Sequence, residues 1–255
     1  MTDFRLFPPK IYALPEEALK QCVDFGYKPM TGAKLALERA VDNKEGSLIW
    51  RFSTYTLTAV MTGQYKGKPT LVIKHGGEDN PFSSYESYAR LRTNGCERNQ
   101  FILNDNNLWE RSCEEGLELR GNKRDIWVVQ GKALDRFVTD LVNISEAPSN
   151  TVLGLMLGDL GLMDLYLVGQ KNNRSNKIRI LFDKEGTRSK DPLISPLIFG
   201  YNGIDIMGGG YDSMGHIVGM KDKDAFKPKK NSPLDMLLTH QSDSPVFKSQ
   251  QVSLF

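Results

Sequence analysis

Leu48-Ile-Trp-Arg-Phe-Ser-Thr-Tyr-Thr-Leu-Thr-Ala-Val-Met61 runs into a turn at residues 63–69, and the chain returns as Thr70-Leu-Val-Ile-Lys74. Aromatic and β-branched residues dominate both arms, and apolar residues alternate with polar ones, the pattern of half-buried strands. The alternation slips at Ser53-Thr54, which predicts a bulge or two joined strands. A long hairpin closed by a short turn pairs antiparallel. The surrounding helical runs do not alternate regularly with strands, so the expected fold class is α+β, antiparallel hairpins with several helices and a flexible C-terminal tail.

Upstream, helices are expected over residues 15–22 and 32–41, the first stopped near Gly26. Downstream, a helix is expected from Ser83 to Arg92, then short strands over 101–103, 117–120 and 126–129. Residues 131–144 read as an amphipathic helix with Leu134, Phe137, Val138, Leu141 and Val142 on one face. The second half is apolar and Gly-rich. Strands are expected over 151–157, 163–168 and 177–182, although 152–162 also reads as a buried helix. The polar run Gly169-Gln-Lys-Asn-Asn-Arg-Ser-Asn176 would join the last two strands as a second hairpin. Glycines split residues 196–220 into short strands. These elements form a body over 1–220 with a weak internal boundary near 145–150, followed by a tail over 221–255 rich in charge, Ser and Pro. Within the tail, Ser232-Pro233 would start a short helix at Leu234-Asp-Met-Leu-Leu238.

The 255 residues suffice for one large domain or two small ones, and a net charge of +2 places any basic surface locally. Cys22, Cys96 and Cys113 are odd in number and have no metal-type spacing, so free thiols in a reducing cytoplasm are expected, with no metal site. The N-terminal residues lack signal-peptide architecture, and no apolar run reaches membrane-span length. The expected location is cytoplasmic.

One constellation is basic. Lys171, Arg174, Lys177, Arg179, Lys184 and Arg188 crowd the second hairpin, and Lys66 and Lys68 flank the turn of the first beside Tyr65. Cations beside strands carrying Tyr and Phe suit single-stranded nucleic acid, where charge tracks phosphates and rings stack on bases. Asp183, Glu185 and Asp191 would offset part of that charge. Gly208-Gly-Gly-Tyr-Asp-Ser-Met-Gly215-His216 offers backbone N–H groups, but lacks the Lys-Ser/Thr of a phosphate loop and reads as tight turns. His75-Gly-Gly-Glu78-Asp79 also reads as a turn first and an active site second.

Two stretches carry resemblances. Gln251-Val252-Ser253-Leu254-Phe255 resembles the peptide with which bacterial DNA polymerases and repair factors dock on the β sliding clamp. That resemblance implies Leu254 and Phe255 as apolar anchors and Gln251 at the pocket rim. Asp125-Ile-Trp-Val-Val-Gln130-Gly-Lys132, followed by an expected helix, resembles the strand-QxK-helix segment of some PD-(D/E)xK nucleases. It implies a Mg²⁺ site with Glu118 or Asp125 as the upstream acid, beside Gln130 and Lys132. The expected function is a replication, recombination or repair accessory protein, of a kind that mobile genetic elements carry. It would bind DNA, single-stranded first, and dock on the clamp without a cofactor. The alternatives are a clamp-recruited Mg²⁺-dependent nuclease and a clamp-binding inhibitor without DNA affinity.

Overall fold

The computed structural model describes residues 4–7, 14–118, 125–136, 140–147, 151–158, 160–200, 203–205 and 215–221. In chain order these give β1 (Phe4–Phe7), α1 (Pro15–Asp24), β2 (Lys28–Pro29), α2 (Gly32–Val41), β3 (Thr54–Tyr65), β4 (Lys68–His75) and α3 (Tyr85–Thr93). Then come β5 (Cys96–Glu97), β6 (Gln100–Ile102), α4 (Asn106–Glu118), β7 (Ile126–Gln130), β8 (Asp140–Asn143), α5 (Thr151–Leu157) and α6 (Met163–Asn173). The last strands are β9 (Lys177–Leu181), β10 (Leu193–Phe199), β11 (Gly203–Asp205) and β12 (His216–Met220). All lie in one compact unit, Met1–Lys221.

The long strand β3 organises the sheet. Its Thr58–Tyr65 edge pairs antiparallel with β4, and β4 pairs with β7. Its other edge pairs antiparallel with β10 over Thr54–Thr62. Thr54 and Tyr55 also pair with β12, in parallel, on the edge that β4 leaves open. The sheet therefore divides along β3. One path runs through β12 to β1, and the other through β10, β11 and β9 to β8. β9 and β11 are parallel, so the sheet is mixed. The register of β10 slips between Pro196 and Ile198, as expected where proline removes a ladder donor.

Alternation along β3 gives the sheet two covered faces. Val60 joins a core with Leu35 and Ala36 of α2, Leu153 and Met156 of α5, and Tyr166 and Leu167 of α6. Tyr55, Ala59 and Met61 point the other way, into a core with Leu19 of α1, Tyr88 and Leu91 of α3, and Leu108 and Trp109 of α4. The first core joins Leu134 and Ala147 to Leu153, so it spans the boundary expected near 145–150.

Several expectations are corrected. Residues 48–50 form a 3₁₀ turn instead of starting the strand. The cause is Arg39, which is buried and donates through Nε to the Ile49 carbonyl (3.1 Å) and through Nη2 to the Phe52 carbonyl (3.1 Å). Trp50 answers by donating its indole N–H to the Arg39 carbonyl at 3.1 Å. Residues 151–157 and 163–168 are helical. In α6 the buried residues Met163, Tyr166, Leu167 and Gln170 recur at helical spacing, so the polar run after Val168 completes a helix and no second hairpin exists there. The strand expected over 117–120 begins inside α4. Residues 131–144 divide into a 3₁₀ turn, Gly131–Arg136, and the strand β8, because a strand partner is available in β9. The first hairpin does form, with Lys66 and Gly67 both at positive φ (50° and 74°) in its two-residue turn.

Candidate functional site

A concavity lies between α3, α4 and the turn after β4. Gly76 and Gly77 turn the chain out of β4 at φ 93° and 102°, a region that side chains avoid. Asn80, buried, then locks the turn: its amide donates to the Leu57 carbonyl and its Oδ1 accepts the Phe82 N–H at 2.9 Å. This leaves Glu78 exposed at the rim, while Asp79 accepts from Lys74 Nζ at 2.7 Å. Helix α3 starts where the Ser84 hydroxyl accepts the Ser87 N–H at 3.1 Å. Helix α4 starts where Asp105 Oδ1 accepts the Leu108 N–H at 2.9 Å. Trp109 anchors α4 by donating its indole N–H to the Gln64 carbonyl at 3.3 Å.

Two adjoining clefts result. One, of about 580 Å³, has Leu91, Leu103 and Leu108 among its lining residues, together with Ser87, Asn94, Asn104, Asn106 and Asn107. The other, of about 490 Å³, continues past Glu110, Arg111 and Glu114, and the two share Asp105 and Asn107. The charged lining is Glu78, Asp79, Asp105, Glu110 and Glu114 against Arg90 and Arg111. Arg111 reaches Asp79 at 3.7 Å, and Glu114 accepts the Tyr65 hydroxyl at 3.2 Å. The groove thus offers amides and carboxylates above buried leucines, held by capped helices.

The sequence pointed to this site only through Glu78 and Asp79. The missed signal was α4: Asp105 as N-cap, followed by Leu108, Trp109, Ser112 and Cys113 on one helical face. The Asn-rich start of that run masks it.

The eight basic candidates do not form one hairpin tip. Lys171 lies in the last turn of α6 and Arg174 follows the helix, while Lys177 and Arg179 occupy the exposed face of β9. Lys184 lies past the end of β9 and pairs with Asp135 at 2.6 Å. Arg188 pairs with Glu185 at 3.2 Å. Lys66 lies over the Tyr65 ring at 4.9 Å, with Lys68 two residues on.

The nuclease candidates are spread along one strand and beyond it. Asp125 precedes β7 and Gln130 ends it, roughly 16 Å apart at strand rise. Gln130 donates to Thr70 Oγ1 at 2.9 Å. Gly131 at φ 58° breaks the alternation, so Lys132 leaves the strand. Glu118 ends α4. Among the described residues, no group of three or more His, Cys, Asp or Glu is placed to hold a metal ion.

His75 is structural. Its Nε2–H donates to the Leu155 carbonyl (3.0 Å), and its Nδ1 accepts from the Thr58 hydroxyl (2.9 Å), which itself accepts the Gly32 N–H at 2.8 Å. Burial pulls its pKa down to about 4, against the Leu155 hydrogen bond and Asp125, which act upward. His216 stacks edge-on against Phe52 with ring centroids 5.1 Å apart. Most of the Gly208–Gly215 run and all of Gln251–Phe255 lie outside the described residues. No described helix is long and apolar enough to cross a membrane.

No family model matches the chain, and no curated protein does. A solved structure does, reported in the words "Accommodation of massive sequence variation in Nanoarchaeota by the C-type lectin fold". The TM-score is 0.67 at 17% identity, over 86% of this chain and 96% of that one. The chain therefore has the C-type lectin fold. This overturns the expected class of antiparallel hairpins with several helices: the sheet is mixed, and β12 pairs with both β3 and β1.

Proposed function

We propose that this protein is a recognition protein that holds its ligand in the groove between α3 and α4. The observation that carries this reading is the groove itself, about 580 Å³ with a further 490 Å³ adjoining. Among the described residues, no hydrogen bond or ion pair engages the side chains of its exposed Asn104, Asn106, Asn107, Glu78 and Glu110. The solved relative in fold is described as accommodating massive sequence variation, and that description fits a scaffold whose surface changes while its core does not. The test is a panel of glycans and peptides presented to the wild-type protein and to Asn104→Trp, which fills the groove from an exposed loop. Ligands should bind the first and lose at least about ten-fold in affinity for the second. A ligand that binds both equally would place recognition elsewhere.

A second reading keeps the DNA-associated role, as a replication, recombination or repair accessory protein. Two features favour it: the clamp-type sequence Gln251–Phe255, and the exposed Lys171, Lys177 and Arg179 at the end of α6 and on β9. Cations two residues apart on a strand face stand roughly 6.6 Å apart, a spacing that can follow a nucleic-acid backbone. Under this reading, Leu254→Ala/Phe255→Ala abolishes binding to the β sliding clamp. Lys177→Ala/Arg179→Ala would flatten the salt dependence of binding to single-stranded DNA. Clamp binding unchanged by the terminal substitutions would remove the tether.

A further inference from the structure

We infer that the occupant of this groove is an extended, Lys/Arg-rich peptide segment with a basic residue at every second position; the inference rests on the groove being the ligand site. Three features converge. The first is spacing. Glu110 and Glu114 line the groove and Glu118 continues their row along α4, at intervals of roughly 6 Å at helical rise. An extended peptide presents side chains on one face every ~6.6 Å, so successive cations would meet successive carboxylates.

The second is the internal cost of this arrangement to α4. Glu110, Glu114 and Glu118 stand at i, i+4 and i+8, where like charges repel along the helix. Its last turn holds no basic residue, although that end of a helix favours cations. A cationic partner relieves both penalties. The third is the groove's charge, five carboxylates to two guanidiniums along its lining, on a chain of net charge +2. The groove is thus acidic against the sign of the whole molecule, so general electrostatics would not draw a polycation to this protein. Local cations do not cancel it. Lys74 and Arg111 are turned to Asp79, which leaves Arg90 of the lining against Glu78, Asp105, Glu110 and Glu114, while Lys66, which Glu114 also attracts, lies over the Tyr65 ring.

The test is fluorescence anisotropy with a labelled peptide of about eight residues alternating Lys and Ser. The control has the same composition with its lysines contiguous. The alternating peptide should bind, and Glu110→Gln/Glu114→Gln should weaken it about ten-fold, two near-isosteric changes on exposed side chains. The contiguous peptide should bind several-fold more weakly, and salt should weaken both. Equal binding by the double variant, or equal binding of the two peptides, overturns the inference. So does self-association at low salt that the double variant abolishes when neither peptide binds; the occupant is then a second copy. If Asn104→Trp loses ligands from the panel while the wild type ignores the alternating peptide, the groove stands as the site and its cationic ligand class falls.

Discussion

Acidification from about pH 7.5 to pH 5 should destabilise this protein through His75. In the fold its two ring nitrogens are both engaged, one accepting from Thr58 and one donating to the Leu155 carbonyl, a pattern open only to the neutral ring. A second ring proton would face the Thr58 hydroxyl in a buried site that cannot hydrate the charge. The folded state therefore keeps His75 neutral down to about pH 4, whereas the unfolded chain protonates it near the ordinary value of 6.5. Between those values the unfolded state binds more protons, so stability is full above pH 6.5 and falls as pH drops towards 4. The loss is about 2 kcal/mol at pH 5 and about 3 kcal/mol once both states are protonated. For a body of this size, the first figure lowers Tm by roughly 4–8 °C. Circular-dichroism melts from pH 5 to pH 8, on wild type and His75→Gln, give the measurement. The variant should start less stable at neutral pH and lose most of the wild-type slope. His216 and His240 are common to both proteins and cancel in the comparison. An unchanged slope in His75→Gln would refute the assignment of this acid sensitivity to His75.

Two further outcomes follow from packing. Gly169→Ala places a methyl 2.4 Å from Trp50 Cζ2, against a ring that Arg39 and Tyr166 hold in place. It should cost roughly 1–3 kcal/mol in urea denaturation, and a neutral result would mean that α6 can shift away from the 48–50 turn. Burial pushes Cys22 and Cys113 up to about 12, whereas Cys96 is exposed. Ellman titration of the native protein should read one fast thiol and two more only on unfolding; three fast thiols would contradict the placement of α1 and α4.

The sequence reveals the local elements where one period dominates. Thr54–Ala59 alternates and the strand forms, but where the alternation predicted one buried face both are covered, with Thr54, Thr56, Thr58 and Thr62 buried as well. Gly32–Val41 is a helix whose Thr31 cap accepts the Lys34 N–H at 3.2 Å. Short apolar runs are where period fails. Met163–Val168 is equally apolar as strand or helix, and only its packing on α2 and Trp50 selects the helix. The topology was illegible for a different reason. β12 lies parallel to β3 and antiparallel to β1 through contacts more than a hundred residues apart in the chain, which no local pattern encodes. The groove depends on the same long-range assembly, because Glu78, Arg90 and Asp105 meet only after β4, α3 and β6 are placed. The basic residues show the converse case: the sequence set them around one hairpin, whereas Lys171 belongs to α6, Lys177 and Arg179 to β9, and Lys184 and Arg188 to the turn after it.

Hydrogen–deuterium exchange, with the tightest ligand from the panel bound, tests the central claim most directly. Recognition in the groove predicts slowed exchange in residues 78–81, 87–94 and 103–111, with β9 unchanged. Protection confined to residues 171–181, with none along α3 and α4, would contradict it and move the binding surface to the cationic strand.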